Sequence, residues 1–303
     1  MRSIKINGHT ISEKPYIIAE IGCNHCGSID TACQLLITAA ACGADAVKFQ
    51  KRTPDKVFTN AELDKAYDSP HSYGKTYGEH RNKLDWFGFD EYLKLKELAR
   101  RFAVDFIITP FSQHDAAIVA EIGVDAFKVA SCDLNHTPML EQIASYDNPV
   151  ILSTGGGSMD DIYRALNCLL MRDVAILHCV SAYPVTDEQL NLNNIYTLKQ
   201  NFSNVIGFSS HHSGLLPHYV AYSLGARIFE VHFTLNRGWK GTDHGFSLEP
   251  DGLRRLCSDL RRIDTMHGSF DRKAVAKTGF VQKFGKSWHA ARGILQGEPI
   301  TPK

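Results

Sequence analysis

The sequence predicts a (β/α)₈ barrel, an α/β fold in which eight parallel strands each precede a helix. Eight short apolar runs, each a candidate buried strand, lie at 16–19, 44–47, 106–108, 126–129, 150–152, 174–177, 205–208 and 228–231. Helix-length segments separate most of these runs, and such an alternation is typical of parallel βαβ units. Polar residues stand just past the ends of the runs, where a barrel gathers one active site. A doubly wound open sheet, the alternative, would use such residues near one switch point only.

Residues 3–12 predict a short N-terminal β-hairpin. Ile4 and Ile6 alternate with polar residues, and Asn7-Gly8 is a strong signal for a type I′ turn. We expect this hairpin to cap the bottom of the barrel. Helical spacing of apolar residues predicts the barrel helices at 29–41, 89–102, 115–122, 139–145, 159–171, 192–201, 216–224 and 250–266.

A long polar insertion at 51–85 interrupts the βα rhythm after the second strand. Loops of this length are usually functional or disordered. Its position on the active-site face favours a lid, and a surface excursion without a role is the alternative. Lys75, His80 and Arg81 within it are candidates to bind a sugar phosphate, or are simply solvated.

The composition of the chain limits the classes of function and partner that we expect. The 303 residues are 44% hydrophobic, and 33 basic residues balance 33 acidic ones, so neither a nucleic acid nor a membrane surface is expected as a partner. No apolar run has the ~20 residues of a membrane helix, and no signal peptide is recognisable. Eight cysteines in a chain of this length favour a reducing, cytoplasmic location. Cys23 and Cys26 have C-x-x-C spacing, but without a second pair a zinc or redox site is the weaker interpretation.

Two histidines end the last two predicted strands. His211 and His232 would lie on neighbouring strands of the barrel, and neutral imidazole is a common metal ligand. Two such ligands would leave positions open for water and substrate, as a catalytic metal requires. Because His212 directly follows His211 and adjacent residues of a strand face opposite ways, the sequence leaves open which of the two is the ligand.

Two lysines end strands that are otherwise apolar. Lys48 and Lys128 each need an anion there, or act as Schiff-base nucleophiles with a lowered pKa. Hydroxyl donors stand at the ends of other strands, and together with the lysines they suit a phosphate plus a carboxylate. These hydroxyl residues are Thr109, Ser131, Ser153 and Ser209.

Three carboxylates, Glu20, Asp133 and Asp243, are candidates for general acid/base roles or for orienting the histidines. Asp243 lies in a Gly-rich loop just after the eighth strand, where an aspartate is also a common turn former. Residues 153–158 (STGGGS) resemble a phosphate cradle before a helix, although they lack the lysine of a P-loop.

In this order, these residues resemble the sialic acid synthase family, metal-dependent enzymes that condense phosphoenolpyruvate with a sugar. The resemblance runs from about residue 16 to about residue 266. It is carried by residues 18–25 (IAEIGCNH), 47–50 (VKFQ), 73–80 (YGKTYGEH), 179–184 (CVSAYP), 231–235 (VHFTL) and 241–250 (GTDHGFSLEP).

The resemblance implies a set of roles. A divalent metal, typically Mn²⁺ with Mg²⁺ or Co²⁺ possible, would bind His211 and His232 and polarise the aldehyde of an open-chain N-acylhexosamine. Asp133 matches the family position proposed to guide water or protons. The residues that would hold phosphoenolpyruvate are Lys48, Thr109, Lys128, Ser131, Ser153, Ser181 and Ser209. Those matching positions that face the sugar are Glu20, Gln50, Tyr183 and Asp243.

The sequence departs from the family pattern in three places, one of which is Asn135-His136, where the family carries a pair of asparagines. Residues 130–133 read ASCD where the family carries glycines, which implies a tighter pocket floor. Members also carry a C-terminal antifreeze-like domain that supplies an arginine to the partner subunit of a homodimer. We therefore expect a barrel domain at 1–268 and, at 269–303, a linker and a truncated remnant of that domain with one or two strands.

The leading hypothesis is a synthase that joins phosphoenolpyruvate to N-acetylmannosamine or its 6-phosphate. The competing enzyme class is a Schiff-base aldolase that uses Lys128. A third hypothesis, motivated by the short C-terminal region, is a relative that binds ligands without turnover.

Overall fold

The structure is a computed structural model and describes residues 3–170, 172–268 and 279–300. The chain divides into two compact units, Met1–Ile263 and Asp264–Lys303. The first unit holds the hairpin and every strand of the barrel. The domain limits proposed from the sequence stay predictions, because a compact unit is not by that fact a domain that folds alone.

Eight parallel strands close into a barrel, which confirms the predicted fold class. Each strand pairs with its neighbours in sequence, and the last strand pairs with the first, His232 lying opposite Glu20. The hairpin precedes them as β1 (Ile4–Ile6) and β2 (His9–Ile11). The barrel strands are β3 (Tyr16–Gly22), β4 (Ala46–Lys51), β5 (Asp105–Pro110), β6 (Ala126–Val129), β7 (Val150–Ser153), β8 (Val174–Cys179), β9 (Val205–Ser210) and β10 (Ile228–His232).

Helices surround the barrel. No helix among the residues that the structure describes is long and apolar enough to cross a membrane. Those packed around the strands are α1 (Ile29–Ala41), α5 (Phe89–Arg101), α6 (Gln113–Ile122), α7 (Thr137–Ala144), α8 (Met159–Cys168), α9 (Asn193–Asn201), α10 (Leu216–Leu224) and α11 (Pro250–His267).

Alternation along each strand sorts its side chains between two layers. In β4, Val47 and Phe49 belong to the large core between strands and helices, whereas Ala46 belongs to a separate cluster inside the barrel. Lys48 lies two residues beyond Ala46 and so shares its inward face, one step nearer the carboxyl end of the strand. The strand therefore places an apolar residue at the bottom of the barrel and a charged one at the top.

The hairpin packs under the barrel, as its pattern predicts. Asn7 and Gly8 have φ of 46° and 83°, the left-handed pair that a type I′ turn requires. Ile4, Ile6 and Ile11 are buried in one cluster with residues from the inner face of the barrel strands. The hairpin is therefore part of the barrel core.

The insertion at 51–85 contains three short helices, α2 (Pro54–Val57), α3 (Asn60–Leu63) and α4 (Tyr77–Leu84). Two of them begin with a capping box, Thr59 with Glu62 and Thr76 with Glu79. Such reciprocal bonds satisfy the first N–H groups of a helix and fix its start. The insertion is therefore an ordered segment with helices of its own.

The second unit contains little regular structure in its described residues. Residues 279–300 form the helix α12 (Phe280–Phe284) followed by turns. The one or two strands expected there are not found among residues 279–300, since apolar residues such as Trp288 and Leu295 are 94% and 78% exposed and form no buried strand face. Residues 269–278 and 301–303 of the predicted linker and remnant lie outside the described residues. The antifreeze-like character of this segment stays a prediction.

Truncating Ile6 tests the role of the hairpin. Ile6 is fully buried beneath the barrel, and removing such a side chain usually costs about 2–5 kcal/mol. We expect Ile6→Ala to lower the free energy of unfolding by that amount in chemical denaturation. Lys5→Ala, on the exposed face of the same strand, should change it by less than about 0.5 kcal/mol. Equal effects of the two variants would show that the hairpin is not part of the core.

Candidate active site

A cavity of about 1080 Å³ opens at the carboxyl ends of the barrel strands. Of the fourteen predicted site residues, thirteen line this cavity and only Asp133 does not. The volume is large enough for two small substrates side by side. The barrel thus brings together residues that are as far apart in sequence as Glu20 and Asp243.

Lys48 lies on the cavity floor in a ring of polar contacts. Its Nζ lies 2.8 Å from Oε2 of Glu20 and donates to Oγ1 of Thr109 at 3.0 Å. Glu20 is fixed in turn by Gln50, whose Nε2 donates to Oε1 at 2.7 Å. Lys48 and Glu20 are 3% and 1% exposed, so this is a buried ion pair.

Lys128 lies beside Lys48 and is bound mostly by neutral groups. Its Nζ donates to Oγ of Ser153 at 2.6 Å and to the carbonyl of Val129 at 2.8 Å. Glu230 is the acid side chain in reach, with Oε2 at 4.0 Å from Nζ. Lys128 is therefore the less fully compensated of the two ammonium groups.

Glu230 is a site residue that the sequence interpretation missed. It lies inside β10 between apolar neighbours, and its Oε1 is 3.6 Å from Nζ of Lys48 and accepts from Oγ of Ser209 at 3.2 Å. The alternation of side chains along a strand could have identified it, because Glu230 is two residues before His232 and must face the same side of the strand. A charged residue within a buried strand is itself a sign of function.

The pKa values of this cluster follow from burial and mutual charge. Burial acts to lower the pKa of Lys48, but the charges of Glu20 and Glu230 outweigh it and the pKa is raised. The pKa of Lys128 is lowered, first by burial and despite Glu230, with the positive charge of Lys48 adding to the effect. Burial acts to raise the pKa of Glu230, and the two lysines more than offset it, so the pKa is lowered. Of the two lysines, Lys128 is therefore the one that loses its proton more easily.

Ser131, Ser181 and the backbone of Gly155 form a small cradle on the same wall. The N–H of Gly155 donates to Oγ of Ser131 at 3.0 Å. A Cβ placed on Gly155 would lie 2.6 Å from Oγ of Ser181 and 2.9 Å from Oγ of Ser131. Glycine is thus required for the close approach of these donors, which together with the lysines can surround an oxyanion.

His211 and His232 face each other across the top of β9 and β10. Their ring centroids are 5.3 Å apart, and the ring of Phe246 packs edge-on against His232 at 4.9 Å. Oδ2 of Asp243 lies 3.7 Å from Nδ1 of His232. His212 points elsewhere and lies 3.1 Å from Oδ1 of Asp187. Of these two histidines, His211 lines the cavity and His212 does not, so His211 stays the predicted ligand.

The two imidazoles fit a divalent cation. Burial, with the neighbouring His232, lowers the pKa of His211 to about 4, so its imidazole is neutral at physiological pH. Nδ1 of His211 is 2.9 Å from the carbonyl of Val180, which leaves the lone pair of Nε2 available, the arrangement usual for metal-binding histidines. Nδ1 of His232 is buried without a hydrogen-bond partner.

The protein itself would contribute only these two ligands. Among the described residues no group of three or more His, Cys, Asp or Glu is arranged to hold a metal ion. Substrate oxygens and water would complete the coordination, which is the open type of site used in catalysis.

Tyr183 lines the cavity, whereas Asp133 does not. The ring of Tyr183 lies 4.0 Å from that of His211, at the mouth of the cavity. Asp133 ends the 3₁₀ turn Ser131–Asp133 and lies behind the wall, with Oδ1 3.5 Å from Nδ1 of His136. Burial raises the pKa of Asp133. Its predicted role in water or proton transfer stays a prediction.

The insertion supplies one side of the cavity, in line with its predicted position over the active site. Of the three candidates for a sugar phosphate, His80 and Arg81 line the cavity, whereas Lys75 does not. Asp85 holds Arg81 through two hydrogen bonds of 2.6 and 2.7 Å. Arg52, which the sequence interpretation missed, lines the same wall and stacks on Phe111 with 3.7 Å from the guanidinium carbon to the ring centroid.

Comparison with known proteins shows to which family the chain belongs. The sequence profile of the NeuB family matches residues 35–272. The N-acetylneuraminate-9-phosphate synthase of Mus musculus is 37% identical over 290 residues, which are 94% of this chain and 80% of the relative. The N,N'-diacetyllegionaminic acid synthase of Campylobacter jejuni is 34% identical over 297 residues, 94% of this chain and 87% of the relative.

A solved structure shares both fold and sequence. The crystal structure of N-acetylneuraminic acid synthetase from Leptospira borgpetersenii, in complex with citrate, superposes with a TM-score of 0.81 at 30% identity. The alignment covers 94% of this chain and 98% of that one. With the barrel, the cavity and these relatives in agreement, the chain belongs to the NeuB family of phosphoenolpyruvate-condensing nonulosonic acid synthases.

Proposed function

We propose that the protein condenses phosphoenolpyruvate with the open-chain form of an N-acylhexosamine, N-acetylmannosamine or its 6-phosphate. The products are a nonulosonic acid and inorganic phosphate. One observation carries the proposal: two buried lysines and two buried histidines share a single cavity of about 1080 Å³. The lysines suit a substrate with a phosphate and a carboxylate, and the histidines suit an electrophile activated by a cation.

Phosphoenolpyruvate would occupy the cavity floor. Lys48 and Lys128 supply charge, Thr109, Ser153 and Ser209 supply hydroxyl groups beside them, and the cradle of Ser131, Ser181 and Gly155 completes the anion site. Both lysines are held by neighbours before substrate arrives, so little reorganisation is needed on binding. C3 of phosphoenolpyruvate then points toward the histidines.

A divalent cation on His211 and His232, Mn²⁺ by the family resemblance, would act as a Lewis acid on the aldehyde oxygen of the acceptor. Glu20 and Gln50, together with Tyr183 and Asp243, would bind hydroxyl groups of the acceptor, since all four line the cavity. C3 of phosphoenolpyruvate attacks the aldehyde carbon, water adds at C2, and phosphate leaves with cleavage of its C–O bond. The carboxylate of Asp243, 3.7 Å from Nδ1 of His232, would add negative charge beside the two histidines. Asp133 does not line the cavity, so its predicted role in guiding water or protons would require a group between it and the substrates.

The acceptor class rests on the relatives and on the insertion. The mouse relative makes a 9-phosphate product by its name, and His80, Arg81 and Arg52 give this cavity polar groups that could bind a phosphorylated sugar. The Campylobacter relative is named for a different sugar acid. We therefore keep free and phosphorylated acceptors as two outcomes of one test. A homodimer is proposed by analogy with the family.

A Schiff-base aldolase is the second candidate, and one observation favours it. The pKa of Lys128 is lowered by burial and by Lys48, which makes its amine more available as a nucleophile. Borohydride in the presence of pyruvate would trap a covalent adduct on Lys128 if this candidate were correct. The synthase forms no such adduct.

Turnover with a metal control tests the proposal directly. We expect phosphate release from phosphoenolpyruvate that depends on N-acetylmannosamine or its 6-phosphate, stops in EDTA and resumes with Mn²⁺. The faster acceptor identifies the substrate. No product with either acceptor would contradict the assignment, and tight phosphoenolpyruvate binding without turnover would point to the binding-only relative.

Substitution of the histidines separates metal binding from folding. His211→Asn and His232→Asn should each lower kcat by roughly 100-fold or more, because the Lewis acid is lost, and should abolish Mn²⁺ binding in calorimetry. His212→Asn is the matched control, since His212 lies 3.1 Å from Asp187 and does not line the cavity. A similar loss in all three variants would contradict the assignment of the ligands.

The cradle makes a prediction about KM. A methyl group at Gly155 would lie within 3 Å of two serine hydroxyls, so Gly155→Ala should raise the KM for phosphoenolpyruvate roughly tenfold, equal to about 1.4 kcal/mol, with the KM for the sugar unchanged. Gly156→Ala is the control, because no atom lies within 4 Å of its Cβ position. At φ of +77° it should cost about 1–2 kcal/mol of stability instead.

Neutralising Glu230 tests the compensation of the lysines. Glu230→Gln leaves Lys128 without an acid side chain in reach, and breaking a buried ion pair costs about 3–5 kcal/mol. We expect kcat/KM to fall roughly 100-fold and the free energy of unfolding to fall with it. Glu188→Gln, at an exposed site, should leave both unchanged. Wild-type kinetics in Glu230→Gln would show that the lysines need no internal counter-ion.

A further inference from the structure

Cys26, the second cysteine of the C-x-x-C pair, lies outside the cavity but touches the loop that carries Asp243. Its Sγ is 3.3 Å from Nε2 of His244, which directly follows Asp243 in the chain. Cys26 is half-buried, and its φ of 52° is in the left-handed region that few residues other than glycine and asparagine adopt. Nothing in the proposed reaction uses this thiol or this imidazole.

Both ring nitrogens of His244 have partners. Oγ1 of Thr234 lies 2.7 Å from Nδ1 and 3.2 Å from the carbonyl of Asn236. Nε2 lies 3.3 Å from Sγ of Cys26, which is also 3.5 and 3.7 Å from the carbonyls of Asn24 and Lys240. In the tautomer with its hydrogen on Nδ1, His244 presents the lone pair of Nε2 to the thiol, and thiol, base and the group that contacts the base then have the arrangement of an activated nucleophile.

We propose that Cys26 is a reactive thiol activated by His244, and that its conversion to a mixed disulfide with a small disulfide such as oxidised glutathione switches off the synthase. Cys26 gives its proton to Nε2 of His244 as its sulfur attacks one sulfur of the disulfide. The S–S bond breaks, and the leaving thiolate takes the proton from the imidazolium. The inference rests on the proposed function only for its activity readout.

The coupling to the active site follows from tight packing around His244, which is 1% exposed. A Cβ at Gly241 would lie 2.6 Å from Cδ2 and 2.9 Å from Nε2 of His244, the nitrogen that also contacts Cys26, and the ring of Trp239 packs edge-on at 5.9 Å. A bulky group on Cys26 would therefore enter the edge of the ring where Gly241 already approaches closely, and would displace His244. Displacing it moves Asp243 and Phe246, which contact His232.

Other thiols near the cavity are poorer nucleophiles. Burial raises the pKa of Cys23 to about 11, with Arg81 acting against the shift. Burial of its thiol and the charge of Asp133 raise the pKa of Cys132 to about 11 as well. Neither has a histidine within hydrogen-bond distance among the contacts of the described residues. Cys26 is therefore expected to react first.

The test treats the purified full chain with oxidised glutathione and follows each cysteine by peptide mass spectrometry. We expect Cys26 to be modified at least tenfold faster than the other seven thiols. His244→Asn should remove that advantage. Trp239 fluorescence should change as Cys26 is modified, because Trp239 contacts His244. Modification of Cys23 or Cys132 before Cys26, or an unchanged rate in His244→Asn, would overturn the proposal.

Activity gives the second arm. Synthase activity should fall in proportion to the modified fraction of Cys26 and return on reduction with dithiothreitol. Cys26→Ser should keep its activity in oxidised glutathione, whereas Cys33→Ser, which removes another half-buried thiol, should stay sensitive. Full activity with Cys26 modified would also overturn the proposal. Absence of activity before treatment would count against the proposed function alone, since labelling order and fluorescence decide the thiol chemistry independently.

Discussion

The candidate active site depends on how the charges of two buried ammonium groups are compensated. Taking a charge out of water costs several kcal/mol unless it is paired, and Lys48 and Lys128 lie side by side with 3% and 2% exposure. Glu20 and Glu230 cancel their charge before any substrate binds. The cavity floor therefore carries almost no net charge from these four side chains. An anionic substrate would then be bound as much by hydrogen bonds that the lysines exchange from protein groups to the substrate as by charge attraction.

The barrel is what allows such a cluster to sit above an apolar base. Each strand contributes inward residues at intervals of two, and in β4 these are Ala46 at the bottom and Lys48 at the top. The hairpin closes the bottom with Ile4, Ile6 and Ile11, so the charged layer has packed hydrocarbon beneath it. Stability and chemistry are thus divided along the barrel axis, with the same strands serving both.

The strand pattern is sufficient to predict the barrel, and it also brings most of the predicted site residues to one cavity, because both depend on where apolar runs end. Ser181 and Tyr183, which also line the cavity, follow from the family resemblance instead, and the roles of all these residues stay predictions. Glu230 is not predicted as a site residue because it lies inside an apolar run. The only sign in the sequence is that it lies two residues before His232 and so faces the same side of the strand. The sequence predicts a loop for the insertion because its helices are short. The capping boxes of Thr59 with Glu62 and of Thr76 with Glu79 can nevertheless be recognised in the sequence. Arg52 could not be placed, since it reaches the cavity through its stacking on Phe111.

The loop after β10 connects these features into one unit. Its start carries Thr234, its middle carries Asp243 and His244, and its end packs Phe246 against His232. Asn24 from the loop after β3 donates to the carbonyl of Phe233 and to Oγ of Ser247, tying the first and last strands together above the cavity. Because the first and last strands close the barrel, any group that separates these loops acts where His232 and Glu20 lie opposite each other. A half-buried thiol at that junction is therefore well placed to affect His232 and its neighbours without lining the cavity.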